Sequence, residues 1–176
     1  MKRFIYIITL FCTVGNLGAQ KKLPYQDSKN SIEKRVVDLL SRMTLQEKID
    51  QLNMKTLNAL RIDDKGEISD SSLVQLFKGR SIGCLESPFL EHEKVAMYAE
   101  AADHYLRTQT RLGIPAIQVA ECLHGQMALG ATIFPQSIGL GSTWNPDLIQ
   151  KMASVIAEEA SLSGVDQALS PLFDVA

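Results

Sequence analysis

The chain has 176 residues, of which 45% are hydrophobic, and a formal net charge of -2. This length suits one domain, and the hydrophobic content is enough for a buried core, which excludes a disordered chain. The 18 basic and 20 acidic residues form no basic face, so a nucleic-acid partner is not expected.

The first 19 residues have the pattern of an export signal. Lys2 and Arg3 give a positive start, residues 4–14 are a short apolar run, and small residues precede a cleavage point before Gln20. The run is shorter than the about 20 residues that a membrane-spanning helix needs. We therefore expect residues 1–19 to be removed, leaving a periplasmic or secreted protein with no membrane anchor.

Residues 20–30 are polar and predict a linker, and residues 31–176 predict one domain. Two capping boxes, Asn30 with Glu33 and Thr44 with Glu47, predict the starts of two helices. Apolar residues at helical spacing predict the buried faces of these helices. In the first helix they are Ile32, Val36, Leu39, Leu40 and Met43, and in the second they are Leu45, Ile49 and Leu52.

The remaining chain predicts alternating strands and helices after a loop or short hairpin over residues 58–72. Three apolar runs predict strands at residues 82–85, 116–120 and 167–173. Between them, residues 91–111 predict one helix, and the Asn-Pro-Asp start at Asn145 predicts a second that ends at Gly164. This alternation indicates an α/β fold with a parallel sheet.

The last five residues, 172–176, are mostly apolar and leave the predicted third strand with an uncovered edge. Three strands cannot close a barrel, since about eight make the smallest common one. We therefore expect the chain to be part of a longer protein.

Polar residues follow the second and third predicted strands. Glu121 comes directly after residues 116–120, a loop with His124 and Gly125 follows, and Asp174 ends the third strand. Barrel enzymes keep their polar sites at the carboxyl ends of strands. Glu121, His124 and Asp174 are therefore the candidate site residues, and Asp174 is the most remote of them.

Three segments resemble the N-terminal domain of glycoside hydrolase family 3. They are V-V-D-L-L-S-R-M-T-L-Q-E-K-I-D-Q-L at residues 36–52, G-I-P-A-I-Q-V-A-E-C-L-H-G followed by G-A-T-I-F-P-Q-S-I-G-L-G-S-T-W-N-P at residues 113–146, and A-L-S-P-L-F-D-V-A at residues 168–176. The resemblance implies an incomplete (β/α)8 TIM-like barrel, with about three of its strands in this chain. It also implies a retaining glycosidase whose catalytic nucleophile and acid/base lie beyond residue 176.

On this resemblance no residue of the chain is catalytic. Glu121 matches the position where an acid binds hydroxyls of the terminal β-linked sugar, and His124 and Asp174 are expected to bind substrate or support the loop. The fragment alone is expected to be inactive. No cofactor or metal is implied, and no Cys-x-x-Cys or His-x-x-x-His spacing is present. After removal of the leader, Cys84 and Cys122 are expected to be small buried thiols.

The family's glucosidases often carry Asp where this chain has Glu121, so the sugar stays open between glucose and xylose. The N-acetylglucosaminidase branch carries an Asp-Gln-Glu-Gly-Gly-like run that this loop lacks, which favours the glucosidase and xylosidase branch. Nothing in the sequence specifies the oligomeric state.

Two other functions compete with this interpretation. Gly139 and Gly141 begin like a dinucleotide-binding loop, but Trp144 stands where the third glycine belongs. The other alternative is a non-catalytic periplasmic module that binds sugar or a partner. Because Trp144 lies directly before a helix, we expect it to pack rather than to stack on sugar.

Overall fold

The computed structural model describes residues 22–171, so the expected export signal and Asp174 lie outside the described residues. The chain divides into two compact units, Met1–Arg42 and Met43–Ala176. The described helices are α1 (Ile32–Arg42), α2 (Leu45–Asp50), α3 (Asp70–Phe77), α4 (His92–Gln109), α5 (Ser137–Gly141) and α6 (Pro146–Leu162). The described strands are β1 (Met54–Thr56), β2 (Cys84–Glu86), β3 (Ile117–Glu121) and β4 (Gln167–Leu169).

Helix α1 is the longest element in the described part of the first unit. Its cap is one residue later than predicted: Ser31 Oγ accepts from the Lys34 N–H at 3.3 Å, whereas the Asn30 side chain donates to the Pro24 carbonyl at 2.9 Å. Within residues 22–171 the predicted apolar face is at most half-buried: α1 has no fully buried residue, and Ile32 is 71% exposed. The apolar spacing predicted the helix correctly but could not reveal what would cover its face.

The second unit contains a parallel sheet with the strand order β1-β2-β3-β4. The helices α3, α4 and α6 connect successive strands, and the apolar side chains of α4 and α6 bury one face of the sheet. Leu85 of β2 lies in a core cluster with Leu106 of α4, and Ala120 of β3 lies in a second cluster with Ile156 and Ala160 of α6. The predicted α/β class with a parallel sheet is thus confirmed.

The three predicted strands are present as β2, β3 and β4, and the described residues contain one further strand. Strand β1 (Met54–Thr56) was missed, since Met-Lys-Thr is neither an apolar run nor an alternating one. Its pairing with β2 is set by tertiary contacts instead: the Cys84 N–H donates to the Asn53 carbonyl at 3.2 Å, and Lys55 Nζ donates to the Leu76 carbonyl at 2.5 Å.

The segment between β1 and β2 is partly as predicted. Ile62 and Ile68 form an antiparallel bridge, which confirms a short hairpin in this segment, and Gly66 in its loop has a φ of 84°. Helix α3 then begins at Asp70, inside the segment predicted to be irregular. Its serine-rich first turn has a low helix propensity, so burial of Leu73 stabilises a helix that local sequence does not predict.

The two long helices agree closely with their predictions. Helix α4 buries Val95, Ala99, Ala102 and Leu106, which are the four positions predicted from the spacing. Helix α6 begins after Asn145, whose side chain accepts from the Leu148 N–H at 3.1 Å. The predicted inner face of α6 is only partly buried: Ile156 is buried, but Leu148 and Val155 are 46% and 40% exposed. No helix within residues 22–171 has both the length and the apolar character needed to cross a bilayer.

Helix α2 has the predicted capping box. Thr44 Oγ1 accepts from the Glu47 N–H at 3.2 Å, and the Glu47 carboxylate accepts from the Thr44 N–H at 2.8 Å. The prediction that its apolar residues point inward is wrong, since Leu45 is 75% and Leu52 is 88% exposed.

The Glu47 carboxylate also joins α2 to the segment before β3. Arg111 donates to both carboxylate oxygens, at 2.9 Å and 2.6 Å. Chiefly because of the Arg111 hydrogen bond, the pKa of Glu47 falls from 4.5 to about 2. A carboxylate with a lowered pKa stabilises the fold above its unfolded pKa and loses that contribution as the pH falls towards its folded pKa.

We expect Glu47→Gln to lower the free energy of unfolding by only about 0.5–1 kcal/mol at pH 7, because water screens this partly exposed pair. Urea titrations of residues 20–176 should find that the difference from wild type shrinks between pH 4.5 and pH 2. Glu158→Gln, at an exposed position of α6, is the matched control. A difference that persists unchanged at pH 2 would contradict the assignment.

Candidate functional site at the carboxyl ends of the strands

Glu121 is the last residue of β3, on the face of the sheet opposite the helices. Side chains alternate along a strand, and Ala120 and Cys122 pack against α6, so Glu121 points to the other face. The side chain is half-buried, and no residue within 22–171 hydrogen-bonds or ion-pairs with its carboxylate. A carboxylate held in this way is available to accept hydrogen bonds from a ligand.

Glu86 is a second carboxylate on the same face, which the sequence analysis missed. It is the last residue of β2 and is aligned with Val119, two residues before Glu121 on the neighbouring strand. Glu86 is also half-buried and has no hydrogen-bond or ion-pair partner in the described chain. Because the predicted strand ended at residue 85, Glu86 was not considered as a residue at a carboxyl end.

The loop after Glu121 is closed by His124 and Phe134. His124 Nδ1 lies 2.8 Å from the Phe134 carbonyl, and the Phe134 N–H donates to the His124 carbonyl at 2.7 Å. Since a carbonyl only accepts, Nδ1 carries the proton in this contact, which leaves Nε2 of the neutral ring as an acceptor. His124 therefore supports the loop through Nδ1, and its Nε2 has no hydrogen-bond partner within residues 22–171.

The loop is compact at Gly125. Its φ is 141°, and a Cβ at this position would overlap the backbone carbonyl oxygen of Thr132. The Met127 N–H donates to the Glu121 carbonyl at 2.9 Å, which ties the loop back to the end of β3. Glycine at position 125 is therefore required both by its φ and by the close approach of the chain.

The far side of the loop is held by α6. The Thr132 N–H and Oγ1–H donate to the two Glu159 carboxylate oxygens at 2.9 Å and 2.6 Å. These hydrogen bonds hold the pKa of Glu159 below its usual range. The ionised form of Glu159 thus stabilises the observed loop.

The other side chains singled out from the sequence have less direct roles. Cys122 is buried, and burial followed by the nearby Glu121 charge raises the pKa of its thiol, so it stays protonated. Cys84 is only half-buried, and both thiols are free. Trp144 is 91% exposed and has a φ of 52°, so the predicted packing role is wrong within the described residues.

Comparison with known proteins decides the family. Residues 44–176 match the model of the glycosyl hydrolase family 3 N-terminal domain. The chain belongs to glycoside hydrolase family 3. A β-xylosidase from Formosa agariphila is 29% identical over 97% of this chain and 17% of its own length. A probable β-glucosidase C from Aspergillus flavus is 32% identical over 86% of this chain and 26% of its own length.

Structural comparison agrees with the family assignment. The structure of a β-glucosidase from Erythrobacter marinus superposes with a TM-score of 0.72 and 29% identity, covering 89% of this chain and 20% of that one. The family 3 chain therefore spans about a fifth of the length of these relatives. The dinucleotide-binding alternative is excluded: Gly139 and Gly141 lie inside α5, not in a turn between a strand and a helix.

Proposed function

We propose that this family 3 chain forms the first part of the barrel of an exported, retaining β-glycosidase that removes terminal β-linked glucose or xylose. The observation that carries the proposal is the Glu121 carboxylate at the carboxyl end of β3, which has no hydrogen-bond or ion-pair partner within residues 22–171. A carboxylate accepts hydrogen bonds through both oxygens, so it can hold two sugar hydroxyls at once. His124 Nε2 offers a further acceptor on the same loop, and Asp174 is a more remote candidate.

The bond-breaking step needs other residues. A retaining glycosidase uses two carboxyl groups about 5–5.5 Å apart, one as nucleophile and one as acid/base. We expect this segment to be part of a longer enzyme, and we assign both catalytic carboxyl groups to the part of that enzyme that follows residue 176. Glu121 then supplies affinity and orientation for the terminal sugar, rather than a covalent bond to it. No cofactor takes part in this scheme.

Assays with aryl β-glucosides and β-xylosides test whether bond cleavage needs residues beyond this chain. The full-length enzyme is expected to hydrolyse at least one of them, whereas residues 20–176 should give no turnover above the background of host enzymes. Glu121→Gln in residues 20–176 is the matched control, since host contamination does not depend on Glu121. Turnover that co-purifies with residues 20–176 and falls in the Glu121→Gln variant would contradict the proposal. Sugar binding with no hydrolysis by the full-length protein would instead favour the non-catalytic module.

Export is the second part of the proposal. It is supported by the charged and apolar start of the chain and by similarity to a periplasmic β-glucosidase from Salmonella typhimurium, 29% identical over 80% of this chain and 16% of its own length. The intact mass of the exported protein should correspond to a chain that begins at Gln20. A periplasmic or secreted form that retains Met1 would rule out cleavage.

A further inference from the structure

Gln126 is a fully buried polar residue in the loop after β3. Only 1% of it is exposed, and it lies one residue beyond Gly125. Its side chain contacts two different helices. Oε1 lies 2.9 Å from His92 Nε2, at the start of α4, and Nε2 donates to Ser163 Oγ at 2.7 Å, at the end of α6.

One arrangement of hydrogen bonds links these three side chains in series. His92 Nε2–H donates to Gln126 Oε1, and Gln126 Nε2–H donates to Ser163 Oγ. The Ser163 hydroxyl in turn donates to the Ala160 carbonyl at 2.9 Å, and Gln126 Oε1, at 3.0 Å, is its alternative acceptor. Ser163 is 0% exposed, so water cannot replace the Gln126 contact there without a rearrangement. We call His92, Gln126 and Ser163 the loop brace.

The loop brace is connected directly to the candidate site. The residue after Gln126 is Met127, whose N–H donates to the Glu121 carbonyl at 2.9 Å. A second contact on the same side joins the His92 N–H to the Leu129 carbonyl at 3.1 Å. A shift of Gln126 would therefore move the backbone that fixes the end of β3.

We propose that Gln126 is a positioning residue of the sugar site. It fixes the loop against α4 and α6, so that the Glu121 carboxylate and His124 Nε2 are held in place before the sugar binds. This inference rests on the proposed sugar-binding role of Glu121. It goes beyond the family assignment, because it makes the affinity for substrate depend on the buried Gln126 side-chain amide, which does not contact the sugar.

The variant that tests the proposal is Gln126→Met, which has similar volume but cannot hydrogen-bond. Hydrogen exchange in residues 20–176 should report a rise of about ten-fold at the Met127 and Phe134 amides, because the loop opens more often. Gln150→Met, at an exposed position of α6, is the matched control and should leave both amides unchanged. Ser163→Ala, which removes only the hydroxyl partner, should act in the same direction if Gln126→Met does not fold.

Kinetics of the full-length enzyme separate positioning from general stability. Gln126→Met should lower kcat/KM about five- to twenty-fold, but by less than about two-fold when Glu121 is already Gln, since coupled residues are not additive. Gln126→Glu keeps the acceptor for His92, and the Ser163 hydroxyl can donate to its carboxylate as it can to Gln126 Oε1, so this variant should restore part of the loss. Equal losses in the two backgrounds, or amide exchange in Gln126→Met equal to that in Gln150→Met, would overturn the inference. If amide exchange rises but Glu121→Gln alone changes no kinetic constant, the proposed sugar-binding role is wrong instead.

Discussion

Replacing Glu121 by Gln in the full-length enzyme is expected to lower kcat/KM by about ten- to a few hundred-fold. The change keeps the shape of the side chain but converts a charged acceptor into a neutral group with one acceptor oxygen. A hydrogen bond to a charged group contributes roughly 1.5–3 kcal/mol, and a sugar hydroxyl that loses its acceptor adds to the loss. Initial rates with aryl β-glucoside and β-xyloside would measure it.

Glu158→Gln is the control for this substitution. Glu158 is an exposed glutamate of α6, so the same change of charge there should leave kcat/KM within about two-fold of wild type. Kinetic constants unchanged by Glu121→Gln would exclude a direct contact between Glu121 and the sugar.

Gly125→Ala is expected to destabilise the fold by about 2–4 kcal/mol. Two costs add at this position: the new Cβ overlaps the Thr132 carbonyl, and the φ of 141° is a conformation that alanine rarely adopts. Because the overlapped atom is a backbone carbonyl oxygen, rotation of a side chain cannot relieve the overlap. Urea unfolding of residues 20–176 would measure the loss.

Gly130→Ala separates these two costs. Gly130 has a φ of 87°, but a Cβ there has open space around it, so only the conformational cost of about 1 kcal/mol applies. A loss of stability in Gly125→Ala no larger than in Gly130→Ala would contradict the close approach at Thr132.

Local sequence predicted the elements whose stabilising contacts are local. Helix α6 was predicted from the Asn145 cap and the following Pro, and α4 from apolar residues spaced along one chain segment. Strand β1 was not predictable in this way, since three residues of mixed polarity become a strand only by pairing with β2. The exposed apolar faces of α1 and α2 were not predictable either, because a periodic pattern does not specify its partner.

The candidate site was predictable to a similar extent. Glu121 was found because an acid directly after a buried strand reaches the carboxyl edge of the sheet. Glu86 was missed because the predicted end of β2 was one residue too early. The contacts of Gln126 join residues 34 and 37 positions away, so only the folded chain brings them together.

The most direct test of the central claim is to trap the covalent intermediate. A 2-deoxy-2-fluoroglycosyl fluoride should inactivate the full-length enzyme by labelling its nucleophile, and peptide mass mapping would locate the label. We expect the label on a carboxylate outside residues 1–176 and no label on Glu121. The Glu121→Gln variant should be inactivated more slowly, at the same labelled residue. A label on Glu121 would contradict the account.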